Sequence, residues 1–160
     1  MSIKAKIFQP AKASELKKGT LYTIEKQWYM RGQLRNKQGQ LIEYAIPLTP
    51  GAEYLPLGDA EPCLAVASPH SFECRVIGPI QGPGMPLPAS LTWTVAGEVV
   101  YTLPVSEQSI KKFITFTGDD KSTEVNTREA FFASHWGVWV LGAEGSEVSR
   151  DPLFVIGADA

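Results

Sequence analysis

Nine of the 12 prolines in this 160-residue chain fall between positions 47 and 88, and no other feature limits the fold so strongly. Proline lacks a backbone donor and clashes with the preceding helical turn. Pro47, Pro50, Pro56, Pro62, Pro69, Pro79, Pro83, Pro86 and Pro88 therefore exclude a continuous helix and disfavour central strands across this region. The middle of the chain is expected to consist of extended segments and turns. Within it, the uncharged stretch IGPIQGPGMPLP at 77–88 carries Ile77, Ile80, Met85 and Leu87. So many large apolar side chains do not suit a solvated spacer, and the prolines lower the ordering entropy that docking would cost. Ile80, Met85 and Leu87 are the expected partner-binding residues, on an extended arm that packs over its own chain or onto a neighbour.

On either side of this region strand signals dominate. After a possible helical turn at 13–18, stopped by Gly19, Thr20–Ile24 is rich in aromatic and β-branched residues. Gln33–Arg35 and Leu41–Ile46 flank Asn36-Lys37-Gln38-Gly39, where Gly39 supplies the positive φ of a tight hairpin. Leu91–Val95 alternates at a period of two and turns near Ala96-Gly97 into Glu98–Leu103. Lys112–Thr117, Gly137–Leu141 and Leu153–Ile156 read as further strands. A hairpin is also expected between Cys63–Ala67 and Phe72–Ile77, turning at 68–71. Only 127–136 has helical spacing, with Thr127 as cap and Phe131, Phe132, His135 and Trp136 as neighbours, and the same residues also fit a strand.

The expected fold class is all-β and mainly antiparallel, with at most one short helix. Three regions follow: a basic β unit at 1–46, a Pro/Gly-rich region with its own hairpin at 47–88, and an acidic unit at 89–160. All three can form one compact domain. The short strands of 89–160 resemble an immunoglobulin-like β-sandwich in architecture, although the cysteine–tryptophan–cysteine pattern of true immunoglobulin domains is absent.

The small overall charge conceals an uneven distribution. Residues 1–40 hold nine Lys/Arg against two Glu, a net of +7, and the remaining 120 hold six against 15 acidic groups, a net of −9. That split suggests an electrostatic partner, either a polyanion or the acidic part of a neighbouring copy meeting head to tail. Lys26, Trp28, Tyr29, Arg31, Arg35 and Lys37 interleave cations with aromatic rings and are the candidate polyanion-binding residues, with nucleic acid as the partner they would suit. Trp93 and Trp139 sit inside apolar alternation and are expected in the core.

Chemistry-bearing motifs are scarce. Cys63, His70 and Cys74 lie close in sequence, but one histidine between two cysteines does not match the paired ligands of zinc ribbons or fingers. On the expected hairpin Cys74 lies diagonal to Cys63, a poor geometry for a disulfide. Ser134 beside His135 is adjacency without a nucleophile elbow, and Gly118–Thr123 lacks the glycine-rich half of a phosphate loop. Asp119, Asp120 and Glu124 do not have EF-hand spacing. The expectation is a non-catalytic interaction or assembly module, a component of a virion-like particle or multiprotein complex, without cofactor or metal. Its partner is a further copy or another protein, with nucleic-acid binding as the alternative and a small enzyme or metal protein third. Without a membrane-length apolar run or a signal-like start, a cytoplasmic or particle-associated location is expected.

Overall fold

The computed structural model describes residues 7–49, 55–56, 62–103 and 112–157, and for 55–56 the backbone alone. Lys4 and Lys6, part of the basic count above, lie outside the described residues. The described residues form fourteen strands, in chain order β1 Phe8–Lys12, β2 Leu21–Ile24, β3 Gln27–Arg35, β4 Leu41–Pro47, β5 Leu55–Pro56, β6 Pro62–Val66, β7 Ser71–Val76, β8 Gln81–Gly84, β9 Leu91–Trp93, β10 Val99–Thr102, β11 Phe113–Ile114, β12 Ala130–Ala133, β13 Trp136–Leu141 and β14 Phe154–Ile156. They form three antiparallel sheets, in the orders β1-β6-β2-β3-β4-β5, β11-β10-β9-β12-β8 and β14-β13-β7. Among the described residues there is no α-helix, and short 3-10 turns lie at Ala13–Glu15 and Ser122–Glu124.

Local turn chemistry explains the hairpins. Asn36 Oδ1 accepts from the Gln38 and Gln40 amides at 3.0 and 2.9 Å, Gly39 takes φ 81°, and β3 and β4 pair from Arg35↔Leu41 to Tyr29↔Pro47. Between β9 and β10, Thr94 Oγ1 accepts from the Glu98 amide at 3.0 Å and Gly97 takes φ 90°. The β2–β3 turn is less favourable, because Glu25 and Lys26 occupy positive φ of 49° and 68° without being glycine.

Two expectations need correction. Cys63–Ala67 and Phe72–Ile77 do not form a hairpin: β6 lies between β1 and β2, so both its edges are taken, and β7 pairs instead with β13 from Val76↔Trp136 to Ser71↔Leu141. Residues 127–136 are not helical either. The Asn126 side chain and carbonyl accept from the Arg128 and Glu129 amides and close a turn, after which β12 alternates, with Phe131 half exposed and Phe132 buried.

One apolar cluster gathers residues from all three sheets, including Met30, Leu34 and Ile46, then Leu91, Tyr101 and Ile114, then Trp136, Val138 and Ile156. Polar ties cross it. Tyr101 Oη donates to Pro47 O at 2.7 Å, and Trp136 Nε1 donates to Ala89 O at 2.9 Å. Gly32, on the core side of β3, leaves room for the Ile114 side chain, which an added Cβ would strike. A smaller cluster of Ala13, Tyr22, Cys63 and Ala65 covers the other face of the six-stranded sheet under the first 3-10 turn.

Candidate interaction surface

The arm at 77–88 lies against its own chain and is fixed at both ends. The Ile77 and Gly78 amides both donate to His135 O, at 2.9 and 3.0 Å. β8 then forms the edge of the five-stranded sheet beside β12, with Gln81↔Phe132, Gly84↔Ala130 and a register shift between them. Gly82 permits this approach: it holds φ 115°, and a Cβ there would lie 2.5 Å from Ala130 O. At the far end Pro86 is buried, Leu87 O accepts from Ser90 Oγ at 2.6 Å, and the Ala89 amide donates to Thr102 O at 2.9 Å.

Side chains that would ordinarily be covered are left facing solvent. Ile80, Met85 and Leu87 are 58%, 60% and 48% exposed, and Phe131 on the neighbouring strand is 49% exposed. Ile80 precedes the residue opposite Phe132, and Met85 follows the residue opposite Ala130, so strand alternation puts both on the side of Phe131. Phe131 stands in a stretch whose spacing fits both helix and strand, so the sequence alone does not place it on a surface. The paired Phe-Phe of a half-buried strand is the signal that would have identified it. Pro83 has no amide to offer an added strand, which leaves this edge one backbone donor short.

On β13, Trp139 occupies the outer face of the three-stranded sheet rather than the core, where Trp136 is fully buried. Gly137 makes space for it: a Cβ there would lie 2.9 Å from the Trp139 ring and 3.2 Å from Ile77 Cδ1. The Arg75 guanidinium stacks 4.8 Å from the Trp139 ring centroid and pairs with Glu73 at 3.0 Å and with Glu147. The same ion pairs raise the Arg75 pKa, the Glu147 contact most.

The six candidate polyanion-binding residues follow β3 and are divided between its faces. Trp28 points into the main cluster and stacks on Phe154 at 5.4 Å. Tyr29 lies on the opposite face and stacks on Tyr22 at 5.7 Å, and Arg31 pairs with Glu43 at 2.7 Å and reaches Ser14 O at 3.2 Å. Lys26 is exposed at one end of the strand, while Arg35, which donates to Gly39 O, and exposed Lys37 sit at the other. Part of the charge split is met within the chain. Lys18 pairs with Asp119, and this bond, with a second from Thr117, holds the Asp119 carboxyl below its usual range. Asp120 accepts from the Arg35 and Ser122 amides, each at 2.8 Å, so the acidic turn at 118–123 ties sheets together.

Cys63 and Cys74 are free thiols in different sheets, with Cys74 opposite Val138. Burial raises the pKa of both, and for Cys74 the Glu73 charge adds to it. Among the described residues no group of three or more His, Cys, Asp or Glu is placed to hold a metal ion. A cleft of about 560 Å³ opens between the 15–20 segment, the β6–β7 connection and Phe116-Thr117. Comparison with known proteins gives no match to a family model, to a curated protein or to a solved structure.

Proposed function

We propose that this chain is a non-catalytic interaction module that binds a second copy of itself through the ridge of Ile80, Met85, Leu87 and Phe131. The observation that carries this reading is the combination of half-exposed apolar side chains with a backbone pinned at both ends. A pinned ridge loses little conformational entropy when covered. The second copy is favoured by charge: residues 77–88 have none, so two such ridges meet across a two-fold axis without like-charge repulsion. Internal pairing of Lys18 with Asp119 and of Arg31 with Glu43 leaves less charge for a head-to-tail contact.

Magnitudes place the contact in the weak range. Complete burial of such a side chain is worth about 1.5–3 kcal/mol, so covering the exposed half of four gives roughly 3–6 kcal/mol per copy, or about 6–12 for a pair. Association costs on the order of 4–15 kcal/mol, and the balance is a concentration-dependent dimer. The same reading takes the C-terminal sheets as two layers of a sandwich, supported by Leu91 and Tyr101 of one meeting Trp136 and Val138 of the other.

The test is sedimentation equilibrium on the wild type and on Ile80→Asp combined with Leu87→Asp. These exposed positions tolerate charge in the monomer, so the variant is expected to keep its β circular-dichroism spectrum and lose self-association. A wild type that is monomeric at every concentration, or a variant that associates as well as the wild type, overturns the proposal.

A further inference from the structure

The cleft between the 15–20 segment and the β6–β7 connection is separate from the ridge and has a different character. Leu21 and Val66 are buried beneath it, and partly buried Leu16, Phe72 and Phe116 complete an apolar floor with two aromatic rings. The volume of about 560 Å³ lies within the range of small-molecule sites. Its rim carries Glu15, Lys17, Thr20, Ser68, His70 and Ser71.

The rim contains both donors and acceptors. His70 Nδ1 lies 3.3 Å from Ala67 O, where it can only donate, and in the tautomer with its proton there Nε2 is an acceptor. Lys17 donates only, the Glu15 carboxylate accepts only, and the hydroxyls of Thr20, Ser68 and Ser71 do both. The second lysine of the cleft, Lys18, is committed to Asp119. Lys17 and Glu15 are therefore the opposed charges that remain. A ligand bearing one charge is attracted by one of them and repelled by the other, whereas a neutral ligand with several hydroxyls satisfies both. Aromatic rings below suit the C–H face of a saturated ring.

We infer that this cleft is a binding site for a neutral pyranose sugar, with its C–H groups packed against the perpendicular rings of Phe72 and Phe116, whose planes meet at 84°, and its hydroxyls shared among Glu15, Lys17, Ser68, His70 and Ser71. The test is saturation-transfer NMR with glucose, glucuronate and protonated glucosamine as probes, alongside amide shifts of the full chain. Glucose is expected to bind most strongly and to shift the amides of Thr20, His70 and Ser71. Ser71→Ala, at an exposed position, should weaken glucose about fivefold, the effect of one neutral hydrogen bond. Glu15→Lys should reverse the preference toward glucuronate, and Lys17→Glu toward glucosamine. Absence of glucose binding, glucose binding that leaves these amides unmoved, or a wild-type preference for either charged sugar overturns the inference.

Discussion

Removing one oxygen atom tests whether the N-terminal and C-terminal sheets share a core. Tyr101 is fully buried on β10, and its hydroxyl donates across the main cluster to Pro47 O, at the end of β4, at 2.7 Å. Tyr101→Phe keeps the ring and its contacts with Phe116 and Trp136 at 6.2 and 5.8 Å. What is lost is a neutral hydrogen bond whose acceptor stays buried, a loss of about 1–2 kcal/mol. With a urea m-value of roughly 2 kcal/mol/M for a chain of this size, the midpoint should fall by about 0.5–1 M. Urea titrations read by far-UV circular dichroism and by tryptophan emission should shift together, because Trp28 and Trp136 both belong to that cluster. An unchanged midpoint, or two probes that separate, would refute a common core joined through this bond.

Three further outcomes follow from the same geometry. Burial raises the pKa of Cys74 and Tyr101, so above the unfolded thiol value of about 8.5 the unfolded chain loses protons that the folded chain keeps. Stability should then fall with rising pH by up to ~1.4 kcal/mol per unit for each group, the tyrosine joining near pH ~10. Cys74→Ala should reduce the slope between these two values to the part that Cys63 supplies, and an unaltered slope in urea titrations contradicts it. Glu25→Asn with Lys26→Gly suits the positive φ of that turn and should raise stability by about 1–2 kcal/mol by thermal unfolding. Gly82→Ala combines a strained φ with a clash against Ala130 O, so hydrogen exchange at β8 should accelerate and self-association weaken together.

The features legible in the sequence were those set by nearby residues. Asn36 and Gly39 specify one hairpin and Gly97 another, and the proline-rich middle holds no helix among its described residues. Pairing between distant segments was not legible. Cys63 and Cys74 lie 11 positions apart in sequence, yet β6 is flanked by β1 and β2, a competition that no local pattern encodes. Trp136 and Trp139 show the same limit: both sit in apolar surroundings, and only the register against Val76 and Glu73 decides which faces inward. Composition marked Ile80, Met85 and Leu87, whereas Phe131 joins them through a strand contact that sequence spacing does not carry. The charge totals also concealed the individual pairs, such as Lys18 with Asp119.

In the proposed dimer an uncharged apolar ridge, rather than the charge split, brings two copies together. Light-scattering mass at fixed protein concentration, in low and in high salt, separates the two causes, since screening weakens contacts between exposed charges and leaves apolar burial intact or strengthened. Apolar association should give a mass rising toward twice the 17.5 kDa of the chain, equal or greater in high salt. A mass that falls back to 17.5 kDa on adding salt, or that stays there in both conditions, would contradict it.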